Sequence, residues 1–193
     1  MTLKIFLISV FILIYPRVNA QNNNELGLYA GLADSEIYLN QDVEGIGSYE
    51  AENTFEYGIK YVRGINRQFS IETGINILST EINISPAFTG IVASDYKEKI
   101  MIFSIPVYAK YDIGKYFYIN GGPLVEFQDD NKHFDSQNGI GLGVGIGAQY
   151  DIQNFRVHLN PNFKAHAIIP FEKEKYHHKI SQFGVQLGVG YLF

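Results

Sequence analysis

Cysteine is absent from all 193 residues. No disulfide can staple the fold, and no thiol offers the usual attachment point for an N-terminal lipid. Long apolar runs are absent too. Beyond residue 20 no segment approaches the roughly 20 apolar residues that a spanning helix requires, and no segment repeats its apolar residues at helical spacing. Basic residues are in deficit: 15 Lys and Arg stand against 20 Asp and Glu, a formal charge of -5. A nucleic-acid partner, which needs a basic surface, is excluded. What is abundant is Gly (19), Tyr (14) and Phe (14). Glycine weakens helices and aromatic rings favour pleated surfaces, so the composition is all-β.

The first twenty residues differ from the rest. Lys4 gives a positive start, residues 5–15 are almost unbrokenly apolar, Pro16 ends the run, and Val18-Asn19-Ala20 places small residues one and three positions before a cut. This is the anatomy of a secretory signal peptide, and it predicts cleavage after Ala20 with a mature domain over 21–193. The apolar run is too short for a membrane anchor. Its removal takes away Lys4 and Arg17 and makes the remainder more acidic still.

The remainder alternates at period two in eight segments, near residues 26–33, 54–63, 69–82, 100–111, 116–127, 139–150, 155–168 and 180–193. One face carries Leu26, Leu28, Ala30 and Leu32 in the first segment and Phe183, Val185, Leu187, Val189, Tyr191 and Phe193 in the last. In the seventh the same face takes Phe155, Val157, Leu159, Phe163, Ala165 and Ala167. The connections alternate as well: 64–67, 112–115 and 151–154 are short, while 34–53, 83–98, 128–138 and 169–179 are long. An even number of alternating strands, with tight turns at one rim and long loops at the other, predicts an eight-stranded antiparallel up-and-down transmembrane β-barrel.

Glycine settles which face is inside. The opposite face is Gly139, Gly141, Gly143, Gly145 and Gly147 in the sixth strand, and Gly184, Gly188 and Gly190 in the eighth. An eight-stranded barrel leaves an interior only just wide enough for side chains, so the glycines belong inside and the bulky apolar residues outside, against lipid. Tyr61, Phe69, Tyr111, Phe117, Tyr150, Phe155, Tyr191 and Phe193 share the outward parity, and each lies beside a short turn or the C-terminus. They predict one aromatic ring at the rim of the short turns, where such rings favour the membrane interface.

The stretch Phe103-Ser104-Ile105-Pro106-Val107-Tyr108-Ala109-Lys110-Tyr111, followed by Tyr118-Ile119-Asn120-Gly121-Gly122-Pro123, resembles the porin-family outer-membrane β-barrel domain of the small OmpA/OmpX-like kind. The ending Gly-Val-Gly-Tyr-Leu-Phe at Phe193 is similar to the signal such barrels present to the assembly machinery. The resemblance covers the whole chain after the leader. It implies a bacterial outer-membrane location, with lipid and the barrel assembly machinery (through Phe193) as partners, and it implies no specific activity.

The inward parity also gathers charge. Glu56, Glu72 and Glu126 face Lys60, Lys110, Arg156 and Lys164, with His158 and His166 among them. This set reads as a proton or ion path, or as a structural ion network that fills the barrel. Buried charges persist only when paired, and three acids pair well with four bases, so the structural network is the expectation. Tyr29, Tyr118, Arg156, His158 and Lys164 are expected to pack over the glycines and block the lumen.

No catalytic, cofactor or metal residue is assigned. Gly143-Val144-Gly145-Ile146-Gly147-Ala148 matches a dinucleotide fingerprint, but no helix follows to hold pyrophosphate. Asp129, Asp130, His133, Asp135, His177 and His178 lie in the long loops, where polar residues are ordinarily solvated. Asn83-Ile84-Ser85 is a chance sequon. The functional expectation is a small integral outer-membrane protein, a scaffold that binds through its outer loops. The alternatives are a narrow pore for ions or small solutes, an outer-membrane hydrolase, and a soluble lipocalin-like carrier.

Overall fold

Eight antiparallel strands join edge to edge in chain order and close into a barrel. The computed structural model describes residues 24–39, 48–85, 94–129, 135–171 and 178–193. The expected leader and its expected cleavage site, with Asp130, His133 and His177, lie outside them. The strands are β1 (Asn24–Leu39), β2 (Ser48–Gly64), β3 (Phe69–Ser85), β4 (Tyr96–Ile113), β5 (Phe117–Gln128), β6 (Gly139–Ile152), β7 (Phe155–Pro170) and β8 (His178–Leu192).

Closure rests on the β1–β8 ladder, in register from Glu25 opposite Leu192 to Leu39 opposite His178. The ends are tied by Phe193 N donating to Asn24 O at 3.0 Å and Asn24 N donating to Phe193 O at 3.3 Å. The short turns carry the residues their geometry needs. Asn66 Oδ1 accepts from the backbone N–H of Gln68 and Phe69, at 2.9 and 2.8 Å. Gly114 takes φ +69°, a left-handed conformation that glycine adopts at little cost.

Across the middle of every strand the alternation runs as expected. The outward residues are apolar and exposed, as with Leu28, Ile59, Ile146 and Leu187. The inward ones are mainly polar or glycine, with Val62 and the Pro106–Leu124 pair as apolar exceptions. All eight aromatics assigned to the turn-side rim point outward, and Phe69 with Tyr111 and Phe155 with Tyr191 touch, at ring centroid separations of 4.8 and 5.5 Å.

Three expectations change. Residues 34–39 and 48–53 are strand rather than loop: β1 continues to Leu39 on β8, and β2 begins at Ser48 on β3. Likewise the 83–98 connection shrinks, because β3 runs to Ser85 and β4 starts at Tyr96. Finally, Ala167, expected on the lipid face, is fully buried. Its φ of +43° marks a local irregularity in β7, after which Ile169 points outward opposite Ile140. Two extra residues of β7 oppose β6 between the Leu142–Ala165 and Ile140–Ile169 pairs, so the parity lost at Ala167 is regained at Ile169.

The added strand length obeys the opposite rule. Outward residues switch from apolar Leu32, Ile77, Phe103 and Phe183 to polar Asp34, Ser79, Lys99 and Ser181 further from the short turns. Inward residues switch to apolar: Leu78, Ile82, Ile84, Ile100, Ile102 and Ile180 form one buried cluster, with Ile37 and Tyr49 packed against it. Below the switch the barrel is solvated by lipid and filled with polar groups. Above it the barrel has a dry core and a wet surface, as a water-soluble β-structure does.

Candidate functional site: a filled lumen beneath a two-lobed rim

The seven lumen residues expected from parity divide into three levels. Nearest the short turns, Lys60 reaches Glu25 at 3.5 Å and Arg156 reaches Glu25 at 3.4 Å. Arg156 also grips Asp151 in bidentate fashion, Nε to Oδ1 at 2.6 Å and Nη2 to Oδ2 at 2.8 Å. Lys110 lies 3.1 Å from Asp112 and donates to Gln149 Oε1 at 2.7 Å. In the middle, Glu72 accepts from Asn120 at 3.3 Å, and Tyr29 donates to Asn76 at 3.0 Å.

Above these, Lys164 pairs with Glu56, whose second oxygen accepts from Gln182 Nε2 at 3.0 Å. Because that amide nitrogen faces a carboxylate, the Gln182 oxygen faces His166 Nε2, at 3.0 Å, and Nε2 carries a hydrogen. His166 Nδ1 then lies 2.6 Å from Glu126 Oε1. Glu126 Oε2 accepts from Ala167 N at 2.9 Å. One chain of hydrogen bonds thus crosses the lumen from β2 to β5 through β8 and β7.

Structure adds members that the sequence reading missed. Glu25 is 1 % exposed and serves both Lys60 and Arg156. Its signal was its parity with Gly27 and Tyr29. Asp112 and Asp151 close the network at the turn-side mouth. Arg156 sits at that mouth rather than deep in the lumen.

The glycines explain how so much fits. A Cβ at Gly147 would run into the Tyr118 ring, at Gly143 into the Tyr108 hydroxyl, at Gly188 into the His158 imidazole and at Gly190 into Glu25. Each missing side chain is therefore filled by a named large one, and Tyr108, which the sequence reading did not single out, is one of them. The space left beside Tyr29, Glu72 and Tyr108 is about 20 Å³, room for a single water. A wider vestibule of about 250 Å³ opens at the turn-side mouth, lined by Arg67, Asp112, Lys115, Gln149, Asp151 and Arg156.

At the other end the barrel splits. The β1–β2 ladder stops at Ala33 opposite Thr54, and the β4–β5 ladder starts at Ile102 opposite Gln128. Beyond those points, among the described residues, β1 pairs with β8, and β2, β3 and β4 pair with one another. These two small sheets face each other across the apolar cluster. Their outer surface is polar, with Lys97 on Glu52 at 2.6 Å and Asn53 on Glu81 at 3.0 Å.

A clamp ties the segment after β5 to the start of β8. Asp135 Oδ2 accepts from His178 N at 2.7 Å and from His178 Nδ1 at 2.6 Å, and Gln137 Nε2 donates to His178 O at 2.7 Å. The Tyr49 ring lies 4.3 Å from the imidazole. Burial, and after it the Asp135 carboxylate, raise the Tyr49 phenol above its ordinary range. Asp135 and His178 are thus part of the rim's framework rather than freely solvated loop residues. Among the described residues no cluster of three or more His, Asp or Glu could hold a metal ion.

An apolar outer band, an aromatic ring at the turn-side rim and a polar filled interior define a membrane-spanning barrel of the bacterial outer-membrane type. Residues 6–193 match the family described as outer membrane protein beta-barrel domain, and the chain belongs to it. The fold is shared with the outer membrane protein AlkL in DMPC bilayers, at TM-score 0.55 and 12% identity over 93% of this chain and 95% of that one. OprG from Pseudomonas aeruginosa superposes at TM-score 0.55 and 13% identity over 90% of this chain and 97% of that one. At such identities the likeness concerns fold alone. No curated relative matches the sequence. The protein is a small integral protein of the bacterial outer membrane.

Proposed function

We propose that this protein is a closed surface scaffold: the barrel anchors it, the two-lobed rim binds, and the lumen neither conducts nor catalyses. The observation that carries this reading is the filling of the lumen in two layers. A polar network occupies the membrane zone and a dry apolar cluster seals the rim above it, where a constriction of apolar side chains opposes water. Among the described residues of the rim, the Asp135–His178 pair comes nearest to a catalytic dyad, and its carboxylate oxygen is committed to two donors of one residue. Loops on a rigid scaffold are common places for binding residues. Here β1 to β4 and β8 carry the rim beyond the apolar outer band as paired strand.

Purified protein in planar bilayers should show no steady single-channel current. Persistent porin-like currents would overturn the closed-scaffold reading and make the barrel a pore.

Phe193 is proposed as the handle for the assembly machinery. It is exposed at the periplasmic end, 6.4 Å from the Tyr191 ring. Phe193→Ser should slow the appearance of the heat-modifiable folded form in pulse-chase experiments on growing cells. Unchanged kinetics would remove Phe193 from that role.

A further inference from the structure

We propose that the turn-side mouth of the lumen is a binding site for a small soluble oxyanion, a phosphate or a carboxylate, held by Arg67 and Lys115 and entered from the periplasm. The vestibule there measures about 250 Å³, where one water needs roughly 10–15 Å³. Its walls come from distant parts of the chain: Arg67 and Ser70 at the β2–β3 turn, Asp112 and Lys115 at the β4–β5 turn, Asp151 at the end of β6 and Arg156 at the start of β7. Val62, Ser70 and Gln149, which also line it, are inward side chains. The vestibule therefore lies within the ring of strands and faces water rather than the bilayer.

The vestibule is blind. Beyond Gln149 the buried Lys110 lies over the Tyr118 ring at 4.6 Å, and both are packed into the filled lumen. What enters is held at the mouth or leaves as it came.

Charge says what is held. The acids in the wall are already engaged: Asp112 pairs with Lys110 at 3.1 Å and accepts from Gln149 Nε2 at 3.1 Å, and Asp151 grips Arg156 through both oxygens. Among the described residues neither Arg67 nor Lys115 is held in an ion pair, so two positive charges are left over. Their turns are braced by Asp112 N donating to Gln68 O at 2.8 Å. The excess extends past the wall. Lys60, Arg63, Arg67, Lys110, Lys115 and Arg156 stand at this end against Glu25, Asp112 and Asp151, in a chain with 20 acids to 15 bases. A recess lined by one sign of charge concentrates ions of the other. The planar Arg67 guanidinium suits the paired oxygens of a carboxylate or phosphate, and the Lys115 ammonium supplies a second charge.

The test is isothermal titration of inorganic pyrophosphate, and separately of malonate, into the protein held in phosphatidylcholine nanodiscs. The wild type should bind one or both at a single site per barrel. Arg67→Gln with Lys115→Gln, both on exposed turns, should weaken binding about tenfold or more. Ser70→Leu adds bulk to the inner wall and removes no charge, and should weaken it as much. Lys97→Gln with Lys99→Gln removes two charges at the opposite rim and should leave binding unchanged. Heat-modifiable migration confirms that each variant is folded. No saturable binding of either probe, binding untouched by the Arg67 and Lys115 changes, or equal loss from the Lys97 and Lys99 changes overturns the site. Full binding by folded Ser70→Leu overturns the vestibule as its seat. Displacement of the probe when phosphatidylglycerol replaces half the lipid would make a headgroup the occupant and overturn the soluble ligand.

Discussion

Glu56→Ala should cost the barrel about 3–5 kcal/mol, the penalty of leaving a buried charge without its partner. Glu56 is 1 % exposed, and both of its oxygens are used, by Lys164 and by Gln182. Its loss takes from the Lys164 ammonium the carboxylate it is paired with. It also frees the Gln182 amide that fixes His166. The pair itself is a weaker source of stability than its loss suggests, because desolvating two ions offsets much of their attraction. Replacing both, Glu56→Met with Lys164→Met, should therefore recover most of what the single change lost. Urea unfolding of the protein in vesicles reads both numbers. A single variant within about 1 kcal/mol of wild type, or a double variant no better than the single, would show that this pair does not hold the lumen together.

The barrel was legible because each strand's lipid-facing stretch alternates strictly. Leu26 to Leu32 and Phe183 to Phe193 show it plainly, as does the glycine series of β6. Lumen chemistry was legible for the same reason: once one face meets lipid, Glu56, Lys60, Glu72, Lys110, Glu126, Arg156 and Lys164 all share the other. The rim was not legible. Where β3 passes from Ile77 to Leu78, and β4 runs Ile100-Met101-Ile102-Phe103, consecutive residues are apolar because the membrane zone's rule and the rim's rule meet there. Period-two reading has no answer to a run that is apolar on both faces. Bulges compound this. Asn53, at φ +51°, interrupts the β2–β3 register between Glu52 and Phe55, and Ala167 shifts the end of β7. Such irregularities depend on pairing with a distant strand, which local sequence does not disclose. Glu25 escapes the alternation because a glutamate at the edge of such a run looks like the end of it.

Leu187→Arg should cost about 2–4 kcal/mol, and the same change elsewhere on the outer surface should trace where the bilayer begins and ends. Leu187 is 59% exposed, faces outward between Ala30 and Leu159, and lies midway along β8 between Tyr191 at the periplasmic ring and Phe183 at the upper edge of the apolar band. A guanidinium there faces hydrocarbon with no lumen partner in reach. Ile113→Arg sits below Tyr111 at the short turns and should cost only about 0–1 kcal/mol, because its charge reaches the interface. Asn83→Arg should be within about 0.5 kcal/mol of wild type. Asn83 also faces outward, but it lies above the switch at Ile77 and Ser79, on strand that stands in water. Unfolding in vesicles measures the series. Steep cost at Leu187, little at Ile113 and none at Asn83 is what a lipid band ending just beyond Ile77 requires. A flat profile, with Leu187→Arg no worse than Asn83→Arg, would contradict the reading that the apolar wall faces lipid and that the rim stands above it.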